Sequence, residues 1–189
     1  PLSGYATRDE RSEHATQLVH AVTRLQNLKQ DADPEEKKEI TARLTSIVES
    51  QDPETKMRAL LLFTDNMSTL NAGEMEGQVA IMRSIAYDMK NGDAQTKERV
   101  FTPFHEKTIE VQSNVVNFFQ AQSFLQGVPE DGTEEEKKRM LAAVEDFRDA
   151  SEMFTKSMST YAQQKWGIVP EEYGNDESNR DTGQKPTGA

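Results

Sequence analysis

The amino-acid sequence predicts an all-α protein, an elongated bundle of about six helices. Helix-start signals recur along the chain, each an oxygen-bearing N-cap residue followed by carboxylates in the first turn, where the helix dipole favours them. Val and Ile occur at helical spacing and do not alternate as they would in strands. Hydrophobic residues make up 34% of the 189 residues, which indicates a modest core and a thin bundle.

The first three helices are predicted at 8–30, 34–50 and 53–70. Thr7 opens a capping box with Glu10, and Asp33 and Asp52 each stand before a proline at the first helical position. The third helix contains the run ALLLF at 59–63, which is apolar all round and therefore suits the centre of a core.

A fourth helix is predicted at 72–90, between a capping signal at Asn71 with Glu74 and a stop at Asn91 and Gly92. One face of this helix carries a methionine-rich stripe, for which a place in the core is the favoured interpretation over a binding groove. The members of the stripe are Met75, Val79, Met82, Ala86 and Met89.

Two long helices are predicted at 103–126 and 133–166, with a short helical turn allowed at 94–101. Thr102 and Pro103 indicate the first start, and Thr133 with Glu136 forms a capping box at the second. Both helices carry apolar seams at alternating spacings of four and three residues, so we expect them to form an antiparallel hairpin at the centre of the bundle. The later seam is Met140, Val144, Phe147, Ser151, Phe154, Met158 and Tyr161.

The chain divides into one helical-bundle domain at 1–173 and a polar tail at 174–189. The tail has no apolar side chain larger than Ala, so we expect it to be disordered. Trp166, Ile168, Val169 and Tyr173 are predicted to form a small apolar patch at the end of the last helix.

The charge balance argues against two classes of partner. A net charge of −11 disfavours a broad electrostatic grip on nucleic acid or on anionic lipid, because both require clustered Lys and Arg. We find no apolar run of membrane-spanning length and no secretory signal pattern. We therefore expect a soluble, cytoplasmic protein, or one incorporated into a particle or secreted without a cleavable signal.

No motif for catalysis, for a cofactor or for a metal ion is found in the sequence. A di-metal carboxylate bundle needs Glu-x-x-His pairs, but the residues three before His14, His20 and His105 are Arg, Gln and Thr. The chain has no Cys, which removes thiolate ligands and nucleophiles. We expect no cofactor and no enzymatic activity.

Two segments stand out because they lack charge in a chain that is 29% charged. Residues 108–127 contain one charged side chain, Glu110, and residues 157–164 contain none. One interpretation is a central helix buried in a monomer, and the other is a surface that meets another subunit, since depletion of charge marks interface cores. The candidate interface residues are Asn117, Gln120, Phe124, Ser157 and Trp166.

The sequence therefore favours a non-catalytic interaction or assembly protein, such as a structural or scaffolding component of a virion, phage or secretion apparatus. We expect a homo-oligomer or a member of a complex that binds through neutral helix faces. The alternative is a delivered effector or a small helical-bundle enzyme.

Overall fold

The computed structural model of the protein describes residues 8–167, and this part of the chain contains six α-helices and no strand. The helices are α1 (Arg8–Gln30), α2 (Pro34–Glu49), α3 (Pro53–Asp65), α4 (Ala72–Asn91), α5 (Ala94–Gln120) and α6 (Glu134–Trp166). Two short 3-10 helices lie at Met67–Thr69 and Ser123–Leu125. The all-α prediction with six helices is confirmed. The predicted Thr7 cap, Ile168, Val169, Tyr173 and the tail lie outside the described residues.

The predicted N-caps account for four of the helix starts. The side chains of Asp33 and Asn71 each accept a hydrogen bond of 2.9 Å from the backbone N–H three residues later, and the glutamate there bonds back to the cap. Asp52 accepts from the N–H of Glu54 at 3.1 Å, and Thr133 from that of Glu136 at 3.2 Å. Each such bond satisfies an orphan N–H and contributes about 1 kcal/mol.

The core is centred on α4, which packs most extensively against α6 and also against α1 and α3. Its methionine-rich stripe is buried throughout, so the core interpretation of that stripe is confirmed. The seam of α6 faces the same core from Met140 to Met158.

Two polar contacts fasten helices to α4. Arg139 of α6 donates to Glu76 of α4 at 2.9 Å and to the side-chain oxygen of Asn27 of α1 at 3.1 Å. The buried ammonium of Lys56 on α3 lies 2.7 Å from a carboxylate oxygen of Asp88 on α4. This side of the molecule is therefore fixed by directional ionic contacts as well as by apolar packing.

The predicted boundaries of α5 were wrong at both ends. The helix begins nine residues before Pro103, because Asp93 caps it by accepting from the N–H of Thr96 at 2.8 Å. Pro103 lies inside the helix, whose first turns are held on the core by the buried side chains of Val100 and Phe101. The helix ends at Gln120 because Gln122 adopts a left-handed φ of 52°.

The structure does not show the C-terminal hairpin that the sequence predicted. α6 is a single long helix that packs mainly on α4, and α5 packs mainly on α3. The wide apolar sector of α5 is not enclosed either, since Ile109 is 84% exposed. Because each long helix has its main partner elsewhere, a groove remains between them.

Candidate functional site: an uncharged groove between α5 and α6

A groove of about 460 Å³ runs between α5 and α6, with α3 and α4 as its floor. We call it the α5–α6 groove. Its floor is formed by Leu60, Leu61, Thr64 and Met82. The α5 wall contributes Phe101, Phe104, His105, Thr108, Val111, Gln112, Val115 and Val116, and the α6 wall contributes Phe147, Ser151, Phe154, Thr155, Met158, Ser159, Ala162 and Trp166.

The floor of the groove comes from the ALLLF run of α3 and the methionine stripe of α4. Leu60 and Met82 are almost fully buried, whereas Leu61 remains partly accessible. A helix apolar all round can pack on one side against the core and offer its other side to a second element. In α3 that second side is the base of the groove.

Aromatic side chains close one end of the groove. The ring of Trp166 lies 5.8 Å from that of Phe101 and 5.1 Å from that of His105. Beside them, the carboxylate of Glu98 accepts hydrogen bonds from Tyr161 and Lys165, which tie the start of α5 to the end of α6.

The pKa values of both side chains in the Tyr161–Glu98 hydrogen bond are shifted from their ordinary values. The hydrogen bond from Lys165, together with that from Tyr161, lowers the pKa of the Glu98 carboxyl from its ordinary value. Partial burial and the neighbouring Glu98 carboxylate raise the pKa of Tyr161 to about 12. Both shifts keep Glu98 ionised and Tyr161 protonated at neutral pH, which is the pairing that the tie requires.

A second aromatic group lies outside the lining at the other end of the groove, where the ring of Phe119 is 6.2 Å from that of Phe147. Phe118 is fully buried, and its ring lies 5.1 Å from Phe119 and 5.4 Å from Phe124. The guanidinium of Arg148 on α6 lies over the Phe119 ring at 4.7 Å, a cation–π contact.

The chemistry of the lining is uniform. Among the described residues that line the α5–α6 groove there is no Asp, Glu, Lys or Arg, and His105 is the single titratable side chain. The remaining polar groups are hydroxyls, the amide of Gln112 and the indole N–H of Trp166, which desolvate at far lower cost than an ion. The groove therefore suits an apolar, uncharged occupant.

The outer edge of the α5 wall carries exposed apolar side chains. Ile109 is 84% exposed and Val116 is 48% exposed. They stand seven residues apart, or about two turns, on one side of the helix. We call these two residues the lip of the groove. Gln112 and Ser113, both exposed, lie between them.

The five predicted interface residues are placed differently with respect to the groove. Trp166 lines it. Asn117 and Gln120 are exposed on α5 outside the lining, with Asn117 about 180° around the helix from Thr108. Ser157 is half-buried and donates to the carbonyl of Met153 at 2.9 Å, and Phe124 packs on Phe118. Their role in binding stays a prediction.

Sequence reasoning missed several residues of the α6 wall. Ser159 and Ala162 lie within the uncharged segment 157–164, so the signal was present, but Ser157 was chosen from that segment instead. Thr155 stands next to Lys156, and its position on the groove side follows from the seam through Phe154 and Met158. All three lie to one side of that seam, and the seam alone does not tell which of its two sides faces α5.

A second, larger groove of about 770 Å³ lies between α1 and α3. We call it the α1–α3 groove. Its lining includes His20, Arg24 and Glu74 as well as the apolar Leu28 and Leu62. It therefore differs from the α5–α6 groove in carrying fixed charges of both signs.

Two further kinds of site are absent from residues 8–167. None of the helices there is both long and apolar enough to cross a bilayer. No group of three His, Asp or Glu side chains is arranged in that range so that it could hold a metal ion.

Comparisons with known proteins give no match. No protein-family model matches the chain, and no curated protein and no solved structure is found to be similar to it.

Proposed function

We propose that the protein acts by association, as a non-catalytic interaction or assembly protein that binds a helix of a partner in the α5–α6 groove. The observation that carries the proposal is the uncharged lining of a surface groove in a chain of net charge −11. A charge placed in a desolvated contact costs several kcal/mol unless it is paired. A surface without charges avoids that cost.

The dimensions of the groove favour a ridge of side chains over a whole helix as the occupant. The α5 wall from Phe101 to Val116 is about 22 Å long at 1.5 Å per residue, and a helix of that length and about 10 Å diameter occupies about 1,700 Å³. The groove holds about 460 Å³. It accommodates the apolar side chains along one edge of a helix, as in helix-in-groove recognition.

Substitutions at Thr155 test the proposal. Thr155 lines the groove and is exposed, so Thr155→Lys and Thr155→Glu leave the fold intact. Because desolvation penalises either sign of charge, both variants should bind Nile red, an uncharged apolar dye, at least several-fold more weakly than wild type. Light scattering and pull-down with any co-purifying partner should show the same loss.

The matched controls are Thr16→Lys and Thr16→Glu, which place the same charges at an exposed position in the α1–α3 groove. Both controls should behave as wild type, and circular dichroism should show equal helix content in all four variants. Equal dye binding by the Thr155 variants and the wild type would overturn the proposal. A loss of binding in only one of the two Thr155 variants would also overturn it, since that result indicates an electrostatic site.

A further inference from the structure

We infer that the chain covers the Trp166 end of the α5–α6 groove itself, with the residues Ile168, Val169 and Pro170 that follow α6. The inference rests on the proposed function, because it assigns the part of the same groove that stays open to a partner's ridge. These three residues lie outside the part of the chain that the structure describes. The way α6 ends, the composition of the residues after it and the length of the groove point to them.

The last residue of α6 stands at the groove. Trp166 ends the helix, lines the groove and is 51% exposed. An apolar surface is therefore accessible at the point where the chain leaves α6. The residues that follow reach this surface without a connecting segment other than Gly167.

Gly167 redirects the chain at the end of α6. Its φ of 70° and ψ of 21° lie in the left-handed region, which glycine adopts without strain. Its backbone N–H donates to the carbonyls of Gln163 and Gln164, as in the usual glycine cap of a helix C-terminus. A Cβ at Gly167 would meet nothing within 4 Å. The turn, and not lack of space, therefore calls for glycine.

The cap also gives the direction in which the chain continues. In caps of this kind the residue after the glycine commonly makes an apolar contact with the residue five or six positions before it. For Ile168 these positions are Gln163 and Ala162. Ala162 is the apolar one of the two, lines the groove and packs against the core. A contact between Ile168 and Ala162 brings the chain back onto the groove.

The charge pattern of the segment matches the lining over three residues. Ile168, Val169 and Pro170 carry no charge, and Glu171 and Glu172 follow them. An unpaired carboxylate in a desolvated contact costs several kcal/mol. The uncharged groove therefore accepts the chain as far as Pro170 and excludes it from Glu171 onward.

The length of the segment fixes how much of the groove it covers. Three extended residues span about 10 Å, which equals about seven residues of helix. The segment thus extends from Gly167 back to about the level of Ser159. The α6 wall from Phe147 to Trp166 is about 28 Å long. The part of the groove that includes Phe147 and Thr155 stays open to a partner.

The fluorescence of Trp166 tests the inference on the full chain, because the chain has one Trp. A variant that carries both Ile168→Ser and Val169→Ser should shift the Trp166 emission to longer wavelength and raise its quenching by acrylamide, since water replaces the apolar cover. The control is Tyr173→Ser, which removes an apolar side chain beyond the two glutamates. It should leave both signals as in the wild type.

A disulfide checks the position of the segment, because the chain has no Cys of its own. Val169→Cys combined with Ser159→Cys should form a disulfide within one chain, seen as a faster monomer band on a non-reducing gel. The control combines Val169→Cys with Thr160→Cys. Thr160 is exposed but lies outside the lining, about 100° around α6 from Ser159. It should cross-link at least several-fold less.

An unchanged Trp166 signal in the Ile168→Ser, Val169→Ser variant would overturn the inference. So would cross-linking of Thr160→Cys to the same extent as Ser159→Cys. Either result leaves the proposed function standing if Nile red still binds the wild type and Thr155→Lys still weakens that binding. If neither the wild type nor the Ile168→Ser, Val169→Ser variant binds the dye, the proposed function itself fails.

Discussion

Of the two grooves of the molecule, the larger has charged residues in its lining and the smaller has none. The α1–α3 groove is the larger, at about 770 Å³, but carries Arg24 and Glu74 in its lining. The α5–α6 groove is smaller, at about 460 Å³, and none of its described lining residues is an acid, a lysine or an arginine. Filling the first requires removing water from ions, whereas filling the second removes it from apolar groups and hydroxyls. The cost of desolvation, and not the volume, distinguishes the better association surface.

The contrast extends to how the two sides are held together. The helices that carry the first groove, α1, α3 and α4, are joined by ionic contacts such as Arg11 with Glu54 at 3.1 Å and Lys56 with Asp88 at 2.7 Å. Around the second, α5 and α6 meet largely through aromatic rings, including Phe104 with Phe154 at 5.2 Å. The ion pair of Lys165 with Glu98 also joins α6 to α5, at the Trp166 end of the groove.

The largest expected effect concerns the aromatic end of the uncharged groove. Phe118→Ala should lower the free energy of unfolding by about 3–5 kcal/mol, because it removes a fully buried ring from the core. Urea unfolding measures the loss. Gln120→Ala, an exposed change two residues later, is the control and should cost little. A near-neutral Phe118→Ala would mean that the aromatic end is not part of the folded core.

The next effect concerns the ionic side. Lys56→Met keeps the volume of the side chain but leaves Asp88, whose side chain is 18% exposed, without its partner. Breaking such a pair from one side should cost about 3 kcal/mol in unfolding free energy. The control is Lys38→Met, since Lys38 is 76% exposed in its pair with Glu35 and should change stability by less than about 0.5 kcal/mol. Equal, small effects of both changes would remove the energetic difference between the two sides.

A smaller effect distinguishes the grooves through their response to salt. Nile red carries no charge, and none of the described lining residues of the α5–α6 groove is an acid, a lysine or an arginine. Because salt screens interactions between charges, the affinity of the groove for the dye should change by less than about twofold between about 20 mM and about 300 mM sodium chloride. Fluorescence titration at both concentrations tests this. A change of several-fold would indicate that charged groups contact the dye.

The smallest effect is a dependence on pH at the Trp166 end of the groove. The pKa of Glu98 is lowered from 4.5 by Lys165 and Tyr161, so the tie stabilises the folded state above pH 4.5 and is lost as the pH falls through the folded-state value. The Glu98 side chain is 46% exposed, and solvent keeps the contribution below about 1 kcal/mol. Glu98→Gln should flatten the change in Trp166 emission between about pH 6 and about pH 3. An unchanged profile would exclude Glu98 as the group that titrates.

Helix existence could be predicted from the sequence because capping is local chemistry. Asp33, Asp52, Asn71 and Thr133 each satisfy N–H groups within three residues of themselves, so no knowledge of the tertiary structure is needed. The start of α5 was misplaced because Pro103 after Thr102 is also a good start signal. The burial of Val100 and Phe101 keeps α5 continuous through Pro103, and a local sequence pattern does not reveal that burial.

The uncharged segments were visible in the sequence, but the groove was not. Charge depletion selects a stretch of chain, whereas the side of a helix that faces a groove depends on where its neighbours pack. Asn117 and Ser157 were chosen from the right stretches and do not line the groove, and the hairpin prediction failed because α4, not α5, covers the seam of α6. The left-handed Gln122 carries no sequence signal, since glycine is the usual residue there.

The way α5 is anchored has a consequence for hydrogen exchange. Its fully buried residues are Val100, Phe101 and Phe118, so the helix is attached near its two ends and none of the residues between them is fully buried. Pro103 also leaves the carbonyl of Arg99 without its helical N–H donor. The amides between the anchors should open in a sub-global fluctuation, at a lower free energy than global unfolding and while the α4 core stays protected. Occupation of the groove would then register first as slowed exchange along the middle of α5.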